Sequence, residues 1–96
     1  MKETIVTLET TIQAIPMHKL YSEDYRSQNR LFSIVAFRDE DKVIVKIYEV
    51  VDRSAHLIPQ FEVALKVDTP DEANLSKSPM FQKIITASKL FLENFQ

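Results

Sequence analysis

Asp52, Ser54 and His56 are the three residue types of a hydrolase triad, and on an extended strand they would all point to one side. The spacing is wrong for that chemistry. Alternate strand residues lie about 6.6 Å apart, and Ser54 would stand between the acid and the imidazole, whereas a triad needs the imidazole in the middle within hydrogen-bond reach of both. His18 and His56 could in principle join carboxylates around a metal, but neither belongs to a local ligand pair such as HxxxH. Asp39, Glu40 and Asp41 are three adjacent acids, unlike the alternating oxygens and central glycine of a calcium loop, and read as a solvated turn.

The composition narrows the chemistry further. The 96 residues include no glycine, where average usage would give about seven. Phosphate loops, dinucleotide-binding turns and nucleophile elbows need glycine for positive φ or for close backbone approach to a ligand. With no cysteine there is no disulfide, thiolate metal site or cysteine nucleophile. The chain therefore reads as a non-enzyme: no catalytic residue, no metal ligand and no cofactor is assigned.

At 45% hydrophobic and 27% charged, with six Phe and three Tyr, the chain is of ordinary globular composition and long enough for one domain, residues 1–96. A formal charge of -2 argues against strong nonspecific attraction to nucleic acid or anionic lipid. The apolar runs are too short for a membrane span, and Met1 to Pro16 carries Glu3 and Glu9 where a signal peptide needs an apolar core. The expectation is a soluble cytoplasmic protein with no membrane segment. Asn74, Leu75 and Ser76 form a glycosylation acceptor triplet, which without a secretion signal has no meaning.

Four strands and a helix must position whatever function there is. From Thr4 to Ala14 the even positions Val6, Leu8, Ile12 and Ala14 are apolar, the period of a half-buried strand that Pro16 ends. Met17 to Asn29 is polar and reads as a short helix or a loop. Leu31 to Phe37 and Val43 to Val51 form a hairpin about a charged turn from Arg38 to Lys42, the centre of the sheet. Phe61 to Val67 alternates as a fourth strand after Pro59. Thr69, Pro70 and Glu72 signal a short capped helix, and Ser78 with Pro79 opens a last one whose Phe81, Ile84, Ile85, Ser88, Phe91, Leu92 and Phe95 recur at helical spacing. The fold class is α+β, a mostly antiparallel four-stranded sheet with the C-terminal helix on one face.

One helix covers one face. Pairing Val35 and Phe37 with Val45 and Val43 aligns the most apolar sides and leaves Phe32, Ile34, Ile44, Lys46 and Tyr48 on the reverse. Arg30, Arg38 and Lys66 join that side. Three covers suit it: the 17–29 segment folded across with Met17, Leu20, Tyr21 and Tyr25; a second subunit or other protein; or single-stranded nucleic acid held by stacking and charge.

In element order alone, four strands followed by a helix resembles the Whirly-like and transcriptional-coactivator domains, which implies self-association and single-strand binding. The leading expectation is a non-catalytic interaction or regulatory module that forms a homo-oligomer or docks on a protein partner through Phe32, Ile34, Ile44, Lys46 and Tyr48. The alternative is a single-stranded nucleic-acid binder that uses Arg30, Arg38, Lys46, Tyr48 and Lys66. A small enzyme of unknown chemistry is third.

Overall fold

The computed structural model describes residues 18–67 and 72–96. Strands β1 (His18–Ser27), β2 (Arg30–Asp39), β3 (Lys42–Val51) and β4 (Ser54–Lys66) form one antiparallel meander in the order β1-β2-β3-β4. A short helix α1 (Glu72–Lys77) and a longer one, α2 (Pro79–Glu93), follow. This is the expected α+β class. The strand expected from Thr4 to Ala14 and the cap expected at Thr69 lie outside the described residues.

The first strand corrects the reading of Met17 to Asn29 as a helix or loop: His18–Ser27 pairs with β2 along its length, so it does not fold across the sheet. It escaped the aliphatic signature of a strand because the side it turns toward α2 carries Tyr21, Glu23 and Tyr25. The tips of Glu23 and Tyr25 are matched by the helix, and the Tyr21 hydroxyl donates to Glu23. The Tyr25 hydroxyl donates to Glu93, Lys89 pairs with Glu23 at 2.6 Å, and Gln28 Nε2 donates to the Glu93 carbonyl at 2.8 Å. Rings add to this clasp, with Tyr21 edge-on to Phe81 at 5.2 Å between centroids.

Two residues close each hairpin: Gln28 and Asn29, Glu40 and Asp41, Asp52 and Arg53. Such loops match the strand twist when their residues take positive φ, which glycine does most readily. Here Gln28, Asn29, Glu40, Asp52 and Arg53 take φ of 53°, 64°, 57°, 50° and 67° without it.

α2 begins where expected. Ser78 is the N-cap, its Oγ accepting from the Phe81 N–H at 3.1 Å, and Pro79 fills the first turn where a missing N–H is harmless. Phe81, Ile84, Ile85, Ser88 and Leu92 are its buried stripe, while Phe91 is only half-buried, tilted against Phe61 and Phe95. Ser88 is tolerated in that stripe because its hydroxyl donates to the Ile84 carbonyl at 2.7 Å. Under the helices the sheet contributes Phe32, Ile34, Ala36, Val43, Val45 and Ile47. Each buried Val, Ile or Phe among them stabilises by about 1.5–3 kcal/mol.

Candidate functional site

The register of the two central strands decides which side chains share a face. Ile34 stands opposite Ile47, Ala36 opposite Val45 and Phe37 opposite Ile44, one residue away from the pairing that aligns Val35 with Val45. A one-residue slip sends one strand's side chains to opposite faces. Phe32, 1% exposed, and Ile34, 0% exposed, therefore lie under the helices and not on the reverse face. The five residues expected to form one patch are divided: Ile44, Lys46 and Tyr48 share the reverse face, and Val35 and Phe37 take the places of Ile34 and Phe32 beside them.

The reverse face has its own apolar centre, Val35, Phe37 and Tyr48, with Ala55 packed against them. Phe37 is 2% exposed and Tyr48 is 7% exposed, although no described helix packs on this side. Beside them lies a pocket of about 180 Å³, whose walls include Lys19, Ser22, Asp24, Ser33, Val50 and Ala55. Burial alone raises the pKa of the Tyr48 phenol, so the hydroxyl stays protonated. Further out stand Lys66, 3.7 Å from Asp41 in a solvent-exposed pair, and the half-buried Lys46 opposite Glu62.

The residues expected to contact nucleic acid are divided in the same way. Arg30 is on the helix side, where Nε and Nη2 donate to the two carboxylate oxygens of Glu49 and the guanidinium lies 5.3 Å from the Phe32 ring and 5.2 Å from that of Phe95. It is thus a packed, paired group and not a free cation. Arg38 is exposed near the end of β2 opposite Val43. Lys46, Lys66 and Tyr48 remain on the reverse face.

Asp52 lies in the two-residue hairpin loop, Ser54 opens β4 opposite Val51, and the exposed His56 stands opposite Glu49. The arrangement is a strand entry and not a nucleophile with its base. The Glu49 carboxyl is held below the usual carboxylate range, chiefly by its hydrogen bonds from Arg30 and also by charge on Arg30 and His56. Among the described residues no group of three or more His, Cys, Asp or Glu could hold a metal ion, and no helix is long and apolar enough to cross a membrane. That last statement says nothing of a β-barrel.

Sequence reasoning missed Val35 and Phe37 as members of this face, and with them Ser22, Asp24 and Ser33. The available signal was the alternation of Tyr21, Glu23 and Tyr25 with Ser22, Asp24 and Arg26, which is the two-residue period of a strand. No protein-family model matches the chain, and no curated protein or solved structure matches it either.

Proposed function

We propose that the chain is a non-catalytic interaction module that receives another protein surface on the reverse face of its sheet. The observation that carries this reading is the accessible apolar surface around that second cluster: half-buried Ile44, Val50 and Ala55 and the exposed Leu57 surround the buried Val35, Phe37 and Tyr48 on a side that no described helix packs against. An apolar patch rimmed by polar residues is the composition of a docking surface.

Ile44→Asp tests the reading. Ile44 is half-buried on this face, opposite Phe37 and Ala64. An unpaired carboxylate there opposes a docked surface while leaving the helix-side core intact. The expected result is a variant with an unchanged thermal midpoint that no longer self-associates in light scattering, or no longer captures a nuclease-resistant partner that the wild type captures. A variant that melts much earlier would show that the chain itself buries this position, and the reading would fall.

The second reading, single-strand binding, has a specific observation in its favour: Lys19, Lys46 and Lys66 stand on the same side as Phe37 and Tyr48. Asp24 and Glu62 on that side oppose it. Fluorescence anisotropy with a labelled oligonucleotide tests it, and no binding at low salt, where the electrostatic contribution is strongest, removes it.

A further inference from the structure

The geometry points to the pocket over Val35, Phe37 and Tyr48 as a receptor for a single aromatic ring carrying a hydrogen-bond donor, the phenol or indole side chain of a different protein. The inference rests on the reading of this face as a protein-docking surface and names the chemistry of what docks.

Size comes first. An apolar cavity of 150 Å³ is known to hold benzene, whereas pockets for drug-sized ligands and cofactors start at roughly 300 Å³. At about 180 Å³, this pocket holds one six-membered ring and a small substituent, and it is too small for a nucleotide or an extended cofactor. Its floor is apolar and partly aromatic, from Val35, Phe37 and Tyr48, which suits edge or offset contact with another ring.

Polarity comes second. Ser22, Asp24 and Ser33 line the same pocket, and among the described residues none of them makes a side-chain hydrogen bond. The carboxyl oxygens of the exposed Asp24 are hydrogen-bond acceptors, so the ring that fits best brings an O–H or N–H to them. A large ring seated in a pocket with its polar tip satisfied is the usual anchor of a protein interface.

The source of the ring follows from the chain's own inventory. It has six Phe, three Tyr and no Trp. Tyr21, Tyr25, Phe32, Phe61, Phe81, Phe91 and Phe95 all belong to the helix-side core, and Phe37 and Tyr48 form the pocket floor. The rings that carry a donor are already engaged, the Tyr21 and Tyr25 hydroxyls by Glu23 and Glu93 and Tyr48 in the pocket floor, so the anchor comes from a different molecule.

The test uses the full chain, isotopically labelled, with amide shifts followed during titration by p-cresol, 3-methylindole, toluene and adenosine. Saturable shifts at Ser33, Val35, Tyr48 and Ala55 are expected for p-cresol and 3-methylindole, with Kd of about 1 mM, as for good ligands of this few atoms. Toluene is expected to bind several-fold more weakly, and Asp24→Ala to bring p-cresol down to the toluene level without changing toluene itself. The inference is overturned if no saturable shift appears, if the shifts fall elsewhere, or if adenosine binds more tightly than both donors. Loss of the ring site with Ile44-dependent assembly intact would defeat this inference alone, while loss of both would defeat the docking reading.

Discussion

Arg30 and Glu49 are joined by two hydrogen bonds, Nε to Oε2 at 2.9 Å and Nη2 to Oε1 at 2.8 Å, with the guanidinium over the rings of Phe32 and Phe95. The fork geometry is specific to arginine, because lysine presents a point charge and cannot make both bonds in one plane. Glu49 is held below its ordinary value of 4.5 in the folded chain, so folding favours its ionised form. The stability this contributes is fully present above about pH 4.5 and is lost as the pH falls through the lower, folded value. Urea midpoints measured from pH 6 down to pH 3 are expected to fall less steeply for Glu49→Gln than for the wild type. Parallel curves would show that the pair does not couple folding to pH.

Phe32 and Ile34 belong to the core beneath α2, which separates their behaviour from that of Lys46 and Tyr48 on the reverse side. Phe32→Ala should destabilise by about 3–5 kcal/mol and Ile34→Val by about 0.5–1.5 kcal/mol. Lys46→Ala, on a half-buried surface position, should stay within about 0.5 kcal/mol. Chemical denaturation of the three variants checks this. Similar losses at Lys46 and Phe32 would contradict the register that separates them.

That register turns on the parity of a loop. Read from the sequence, Arg38 to Lys42 forms a polar turn with an odd number of residues, which pairs Phe37 with Val43 and brings Val35 to Val45. The chain instead extends both strands to Asp39 and Lys42 around Glu40 and Asp41, and an even loop shifts every pair by one. Nothing in the sequence announces so tight a turn, because its usual Asn-Gly or Asp-Gly signal is absent and Glu40 supplies the positive φ. The helix was legible for the opposite reason: Ser78, Pro79 and the stripe from Phe81 to Leu92 act locally and agree with one another. β1 was not legible, because its identity depends on Glu93 and Lys89, distant residues that complete Tyr25 and Glu23. The candidate face inherits both errors. It kept Ile44, Lys46 and Tyr48, which lie on one strand, and lost its β2 members, whose side depends on the loop.

Tyr21 donates its hydroxyl to Glu23, and that hydrogen bond, followed by burial and the charge of Glu23, raises its pKa to about 12. A raised phenol keeps its proton in the folded chain after it would have lost it unfolded. The contribution to stability is therefore fully present below about pH 10 and is lost as the pH rises through about 12. The hydrogen bond from Tyr25 to Glu93 and the burial of Tyr48 raise those phenols too, so ultraviolet titration should show all three tyrosines ionising late, and Tyr21→Phe should remove the step near pH 12 while costing about 1 kcal/mol near neutrality. Survival of that step in Tyr21→Phe would assign it to another tyrosine.

Asp52 and Arg53 hold φ of 50° and 67° in the loop between β3 and β4, a conformation that a non-glycine residue adopts only at a cost of about 1–2 kcal/mol. Glycine at the second position relieves that strain but has more conformational freedom to lose on folding, about 0.5–1 kcal/mol. The strain relief is the larger of the two, so Arg53→Gly should stabilise the chain by up to about 1 kcal/mol. Combining it with Asp52→Asn creates the Asn-Gly dipeptide that this turn type prefers and should add a few tenths of a kcal/mol more. The loop is far from Ile44, and Arg53 makes no ion pair among the described residues, so assembly should be unaffected. Thermal melting with light scattering checks both halves. A lower midpoint in the glycine variant would mean that the Arg53 side chain contributes more to the folded state than its backbone strain takes away.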